Sequence, residues 1–109
     1  FRPPYGSYNN ELVTTASSLG YSTIQWDVDS LDWKDYGADQ IVDTVCNHPK
    51  LGNGSIILCH NGAKYTPQAL DTMIKELKEK GFSFVKIADL IYPEPYHLGV
   101  DGRQYSDQN

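Results

Sequence analysis

The chain has 109 residues, of which 39% are hydrophobic and 21% charged. That is enough for one small domain with a modest core, and the balance excludes a disordered chain. No run approaches the ~18 apolar residues a membrane span needs, and a formal net charge of −5 speaks against a nucleic-acid partner, whose phosphates call for a basic face.

The chain opens on "FRPPYG", Phe1 to Gly6. Proline fixes its own φ and restricts the residue before it, so this stretch is stiff and presents Arg2 and Tyr5 rigidly. The spacing then predicts a helix from about Asn10 to Leu19, with Leu12, Val13, Ala16 and Leu19 on one stripe and Gly20 as its stop. "YSTIQWDV", Tyr21 to Val28, reads as a strand, followed by the acidic loop "DSLDW". A second helix covers about Ala38 to Val45, turning Ile41, Val42 and Val45 inward. "SIILC", Ser55 to Cys59, is a continuous apolar strand of the kind covered on both faces, and runs into "HNG". The third helix carries the strongest signal. Thr66 is placed to cap it, Pro67 suits its first turn, Leu70, Met73, Ile74 and Leu77 recur at helical spacing, and Gly81 ends it beyond Lys78 and Lys80. "FSFVKI", Phe82 to Ile87, reads as a further strand. The phrase "LGYSTI" returns as "KGFSFV", a repeated helix-to-strand joint. From Pro93 the chain is polar and reads as an irregular surface extension.

Strands alternating with helices imply an α/β fold with a parallel sheet and right-handed crossovers. About three strands leave an edge and an apolar face uncovered, so the sequence reads as a piece of a larger domain. Cys46 and Cys59 have no metal-type spacing, and each sits in an apolar stretch, as buried free cysteines do.

In α/β folds ligands sit beyond the carboxyl ends of the strands. Three polar clusters fall on that rim: Arg2 and Tyr5 of "RPPYG", Asp27, Asp29, Asp32 and Trp33 after the first strand, and His60 with Asn61 after the second. Taken singly each has a plain reading. Asp-rich loops are commonly turn devices, and a strand-end histidine is commonly structural. Their convergence on one rim is what points to a site.

In order and wording, "RPPYG", "DSLDW" and "IILCHNG" resemble the third, fourth and fifth motifs of the polysaccharide deacetylase family, carbohydrate esterase family 4. The resemblance runs to about Tyr92. It implies the C-terminal part of a distorted (β/α) barrel over residues 1–92, followed by an extension over 93–109. It implies a metal-dependent hydrolase that removes acetyl groups from N-acetylated sugars of peptidoglycan or a chitin-like glycan, with peptidoglycan N-acetylglucosamine preferred. Carried over, His60 resembles the general acid that protonates the leaving amine, and Asp32 the aspartate that tunes it. Arg2 resembles the arginine that orients the catalytic-base aspartate. Tyr5 resembles the residue whose backbone N–H stabilises the oxyanion. Trp33 and Leu58 resemble the pocket wall and the acetyl-methyl pocket. An extracellular or cell-wall location is implied too.

Amide hydrolysis needs an activated water, an oxyanion stabiliser and a proton donor for nitrogen, and a divalent metal commonly supplies the first. A histidine beside a carboxylate keeps its proton to higher pH, which suits a general acid. Adjacency of Asp32 and His60 is therefore expected, and the reading depends on Arg2, Asp32 and His60 gathering around a single pocket that another segment equips with its cation.

Two departures stand out. Asn61 replaces the aspartate that commonly follows the family's histidine. The family's first two motifs, with the base aspartate, the metal aspartate and a histidine pair at helical spacing, do not occur. His48 in "NHPK" and His97 in the tail read as surface residues. No metal ligands are therefore expected within this chain. A divalent metal, zinc by preference, is expected on an N-terminal portion of the same domain, present as preceding sequence or as a separate chain, and the 109 residues alone are expected to be inactive. The competing expectations are a catalytically inactive carbohydrate-binding module, in which Trp33, Tyr5 and Tyr65 stack on sugar, and a self-standing α/β interaction domain.

Overall fold

The structure, a computed structural model, describes residues 1–108. The helices form where the apolar spacing puts them. α1 spans Asn10–Ser18, α2 Ala38–Cys46 and α3 Thr66–Glu79. α1 starts on Asn9, whose side chain accepts the Leu12 N–H at 2.8 Å, relieving one of the orphan donors of the first turn. α1 and α3 end in the same way. Gly20 N–H donates to Ser17 O at 3.0 Å and Tyr21 N–H to Ala16 O at 2.9 Å; Gly81 N–H donates to Lys78 O at 2.9 Å and Phe82 N–H to Leu77 O at 3.1 Å. These are Schellman caps, which need a residue at positive φ, and Gly20 and Gly81 sit at +86° and +96°. The repeated phrase in the sequence is thus a repeated helix terminator.

The inward faces differ from expectation in two places. α1 buries Ala16 but leaves Leu19 70% exposed, and α3 buries Ala69, Met73 and Leu77 while Leu70 turns outward. α2 buries Ile41, Val42, Val45 and Cys46 as its spacing predicts, with Cys46 added. Together with Val28 the buried side chains of α2 and α3 make one core, in which the two helices pack on each other beside the sheet. Burying each large aliphatic side chain contributes about 1.5–3 kcal/mol. Cys46 is a buried free thiol as expected; Cys59 is free but exposed, because it lies on the rim where β2 has already left the core.

The sheet is shorter than the strand signals. β1 is Val28–Asp29 and β2 is Ile57–Leu58, paired parallel with Val28 opposite Ile57 and Asp29 opposite Leu58. Asp27 prolongs the pairing with its side chain, accepting the Ile56 N–H at 2.7 Å and the Ser55 hydroxyl at 2.9 Å. On its own, Tyr21 to Asp27 is not ladder, yet it is not free: the Phe1 ammonium donates to Ser22 O at 2.9 Å and Ile24 N–H donates to Phe1 O at 2.7 Å. That alternation is the bonding of a parallel pair, so the first residues lie alongside 22–24 as the end of a neighbouring strand would.

"FSFVKI" is not a strand. Its last residue begins a short helix α4, Ile87–Leu90, and Phe84 and Val85 are exposed. β-formers signal a surface suited to a pleated, half-buried setting, and without a facing ladder that preference has nothing to act on. The tail is likewise corrected: it forms an antiparallel hairpin, β3 Tyr96–Leu98 with β4 Gln104–Ser106. The Gln104 amide ties the hairpin to Tyr92, accepting its N–H at 2.6 Å and donating to its carbonyl at 3.0 Å. Among the described residues no helix is long and apolar enough to cross a membrane.

Candidate functional site

β1 and β2 are neighbours joined through α2, so the loops that leave their carboxyl ends emerge side by side. The first loop is pinned by its own polar residues. Asp29 Oδ1 accepts the Leu31 N–H at 2.9 Å and Ser30 Oγ accepts the Asp32 N–H at 3.3 Å, the short-range bonds that Asp and Ser favour in turns. Leu31 sits at φ 55°, which reverses the chain into a 3-10 turn over Asp32–Lys34. The acidic loop therefore divides by function. Asp27 fixes the strand register, Asp29 and Asp35 shape loops, with Asp35 accepting the Lys64 N–H at 3.3 Å, and Asp32 alone is driven inward.

Asp32 is 1% exposed. Its carboxylate accepts three hydrogen bonds. Oδ2 takes the His60 backbone N–H at 2.8 Å and the Thr66 hydroxyl at 2.7 Å; Oδ1 lies 2.7 Å from His60 Nδ1. Burial pushes the Asp32 carboxyl upward, but the His60 N–H, the Thr66 hydroxyl and the His60 ring outweigh it, and the group is held below the usual aspartate value of 3.8. An ionised carboxylate only accepts, so the hydrogen at Oδ1 belongs to Nδ1. Nε2 is left as the nitrogen that exchanges protons with a ligand, on a side chain 39% exposed. The arrangement is that of an oriented proton donor and acceptor.

The other expected residues make no hydrogen bond or ion pair with Asp32 or His60 among the described residues. Arg2 stacks its guanidinium 5.6 Å from the centroid of the Trp26 ring, and among the described residues it pairs with no carboxylate. Tyr5 stands in the left-handed region at φ 57° and its side chain is fully exposed. A bulky residue there costs roughly 1–2 kcal/mol, and among the described residues its N–H donates to no backbone acceptor. Behind it Gly6 at φ +68° closes on Trp26, where a Cβ would come within 2.8 Å of the ring. Trp33 is 56% exposed with Lys34 Nζ 5.5 Å from its ring centroid, and Leu58 is buried on β2. His48 accepts the Lys50 N–H at 3.0 Å, and His97 pairs with Asp107 at 2.7 Å on the exposed hairpin.

Thr66 is the residue the sequence reading misplaced. It does not cap α3: Tyr65 holds the cap position with no side-chain bond, while the Thr66 hydroxyl reaches Asp32. A threonine before proline at a helix start gives the same local pattern in either role, so only the β1–α2–β2 geometry separates them.

Among the described residues no three His, Cys, Asp or Glu side chains converge on a point that would hold a metal ion. Asp32 engages His60 Nδ1, the His60 N–H and the Thr66 hydroxyl and, among the described residues, leaves His60 Nε2 free, so the chemistry derived from these two side chains is that of a histidine–carboxylate pair.

No family model matches the chain. It is 37% identical over 107 residues, 98% of its length, to the peptidoglycan-N-acetylglucosamine deacetylase PgdA of Listeria monocytogenes, and covers 21% of that protein. Among solved structures it resembles BA3943 of Bacillus anthracis, described as a CE4 family pseudoenzyme, with TM-score 0.76 and 40% identity over 83% of this chain and 31% of the other. It also resembles a family 4 carbohydrate esterase from Streptomyces lividans in complex with acetate, with TM-score 0.71 and 38% identity over 80% of this chain and 44% of the other. The chain thus spans about a fifth of that curated relative and less than half of each of these solved chains.

Proposed function

Because the chain belongs to the polysaccharide deacetylase family, carbohydrate esterase family 4, we propose that it supplies the proton-donor side of a deacetylase acting on peptidoglycan N-acetylglucosamine. The observation that carries this is the buried Asp32 carboxylate 2.7 Å from His60 Nδ1. With Nδ1–H held by Asp32, the imidazolium delivers its Nε2 proton to the sugar nitrogen as the C–N bond of the tetrahedral intermediate breaks. The free amine leaves, and acetate is the other product. Protonation at the right moment contributes typically 10²–10⁴-fold. The Tyr5 N–H is assigned to the oxyanion, a donor worth on the order of 10²–10³ in rate. Trp33 is assigned to the sugar ring, Leu58 to the acetyl methyl, and Arg2 to orientation of the base.

Residues 1–92 are read as the C-terminal part of the catalytic domain and 93–109 as an extension. The base and a divalent metal, zinc in this reading, are assigned to the N-terminal portion. The partner is then a glycan, and the location extracellular or at the cell wall. Acetate release from N-acetylglucosamine oligomers by the longer protein tests the proposal. Turnover that falls at least a hundredfold in His60→Ala, with none from the 109-residue chain alone, supports it; full turnover in His60→Ala refutes it. The likeness to a pseudoenzyme favours one alternative, a glycan-binding module without turnover. Binding of the oligomers with no acetate release, in the longer protein supplied with zinc, selects that reading.

A further inference from the structure

We propose that Thr66 is a positioning residue: its hydroxyl, bonded to Asp32 Oδ2, sets the plane of the carboxylate so that Oδ1 holds the Nδ1–H of His60. The turnover readout rests on the deacetylase reading above; the spectroscopic one does not.

The terminal torsion of aspartate is broad and roughly two-fold, so its rotamer preference does not fix where each oxygen points. Donors must do so. One is the His60 backbone N–H at 2.8 Å, which belongs to the residue being oriented. Alone it leaves the carboxylate free to swing about that contact. The second, Thr66 at 2.7 Å, comes from the start of α3, 34 residues from Asp32 along the chain. Two donors from different elements on Oδ2 define the plane and leave Oδ1 for the ring. Thr66 is the first residue of α3, one past the cap position that Tyr65 fills without a side-chain bond, so its hydroxyl is not claimed by its own helix start. A β-branched side chain, stiff at χ1, holds its hydroxyl in place better than serine would.

The test uses the longer protein that includes the N-terminal portion, labelled with ¹⁵N at histidine. Wild type is expected to show a protected His60 Nδ1–H resonance. Thr66→Val, which keeps the shape and removes the donor, is expected to lose or broaden it, and to lower kcat about tenfold with KM within about twofold. Thr66→Ser is expected to restore most of both. A helix-start role alone would move stability and leave the resonance intact. Thr66→Val with an unchanged Nδ1–H signal, or Thr66→Ser without rescue, overturns the proposal. If Thr66→Val does not fold, Thr66→Ala is read in the same way, and failure of both to fold overturns the proposal in favour of a fold-holding role. Loss of the signal on Thr66→Val in a wild type that shows no turnover sinks the deacetylase reading and leaves the positioning result standing.

Discussion

Replacing Asp32 by asparagine keeps the shape of the side chain and removes its charge. The best arrangement leaves the amide oxygen where Oδ2 is, accepting from His60 N–H and Thr66, and turns the NH₂ toward His60 Nδ1. All three bonds to the carboxylate, from the His60 N–H, the Thr66 hydroxyl and His60 Nδ1, then become neutral ones. Bonds to charged groups contribute ~1.5–3 kcal/mol and neutral ones ~1 kcal/mol, and the loss is offset in part because a charge is no longer buried, so the expected net loss near pH 7 is about 1–4 kcal/mol. The pH dependence has a defined sign. Asp32 is held below the aspartate value of 3.8, so its contribution is complete above that value and disappears as pH falls through the lower native one. Urea melts of both proteins followed by the fluorescence of Trp26 and Trp33, near pH 7 and again near pH 3, measure the gap. Equal midpoints near neutrality, or a gap that does not narrow on acidification, refute the reasoning. The same substitution donates to Nδ1, which fixes the ring as the neutral Nε2–H tautomer. It is expected to lower turnover by several orders of magnitude, as loss of an orienting aspartate does elsewhere.

Met73→Ala, 4% exposed between α2 and α3, is expected to cost 2–5 kcal/mol of stability by denaturant melt, and a loss under about 1 kcal/mol would contradict that packing. Gly6→Ala forces a Cβ to 2.8 Å from Trp26 at φ +68°; a cost of roughly 1–3 kcal/mol and a shift in tryptophan emission are expected, and an unchanged thermal midpoint would refute the contact. The two thiols should separate in a disulfide-exchange assay. Desolvation raises both thiols, Cys46 to about 11, but Cys59 is exposed and Cys46 is buried, so access makes one thiol react in the native chain and both in denaturant; equal native rates would refute it.

Much of this was legible in the sequence because local rules and tertiary geometry agree there. α2 and α3 follow their apolar spacing, and both glycine terminators act as such at Gly20 and Gly81. The adjacency of Asp32 and His60 follows from reading both as strand-end residues of neighbouring parallel strands. What failed depends on partners. The β-rich stretches at 21–27 and 82–87 form little ladder, because propensity cannot supply the strand that faces them. Leu19 and Leu70 were expected inward from spacing alone, yet the faces that meet α1 and α3 select Ala16 and Ala69. Thr66 was hidden because its helix-start signal is real while its hydrogen bond is decided 34 residues away.

The ladder of β1 and β2 and the α2–α3 layer beside it bear on when the molecule acquires its chemistry. Asp32 and His60 are separated by 28 residues of chain, and loop closure of that length is entropically unrewarded until the intervening segment has condensed. The His60–Asp32 pair thus requires the intervening β1–α2–β2 segment to be folded. A nicked or partly opened chain carries the same histidine without its carboxylate, and the ring is oriented only in the finished architecture.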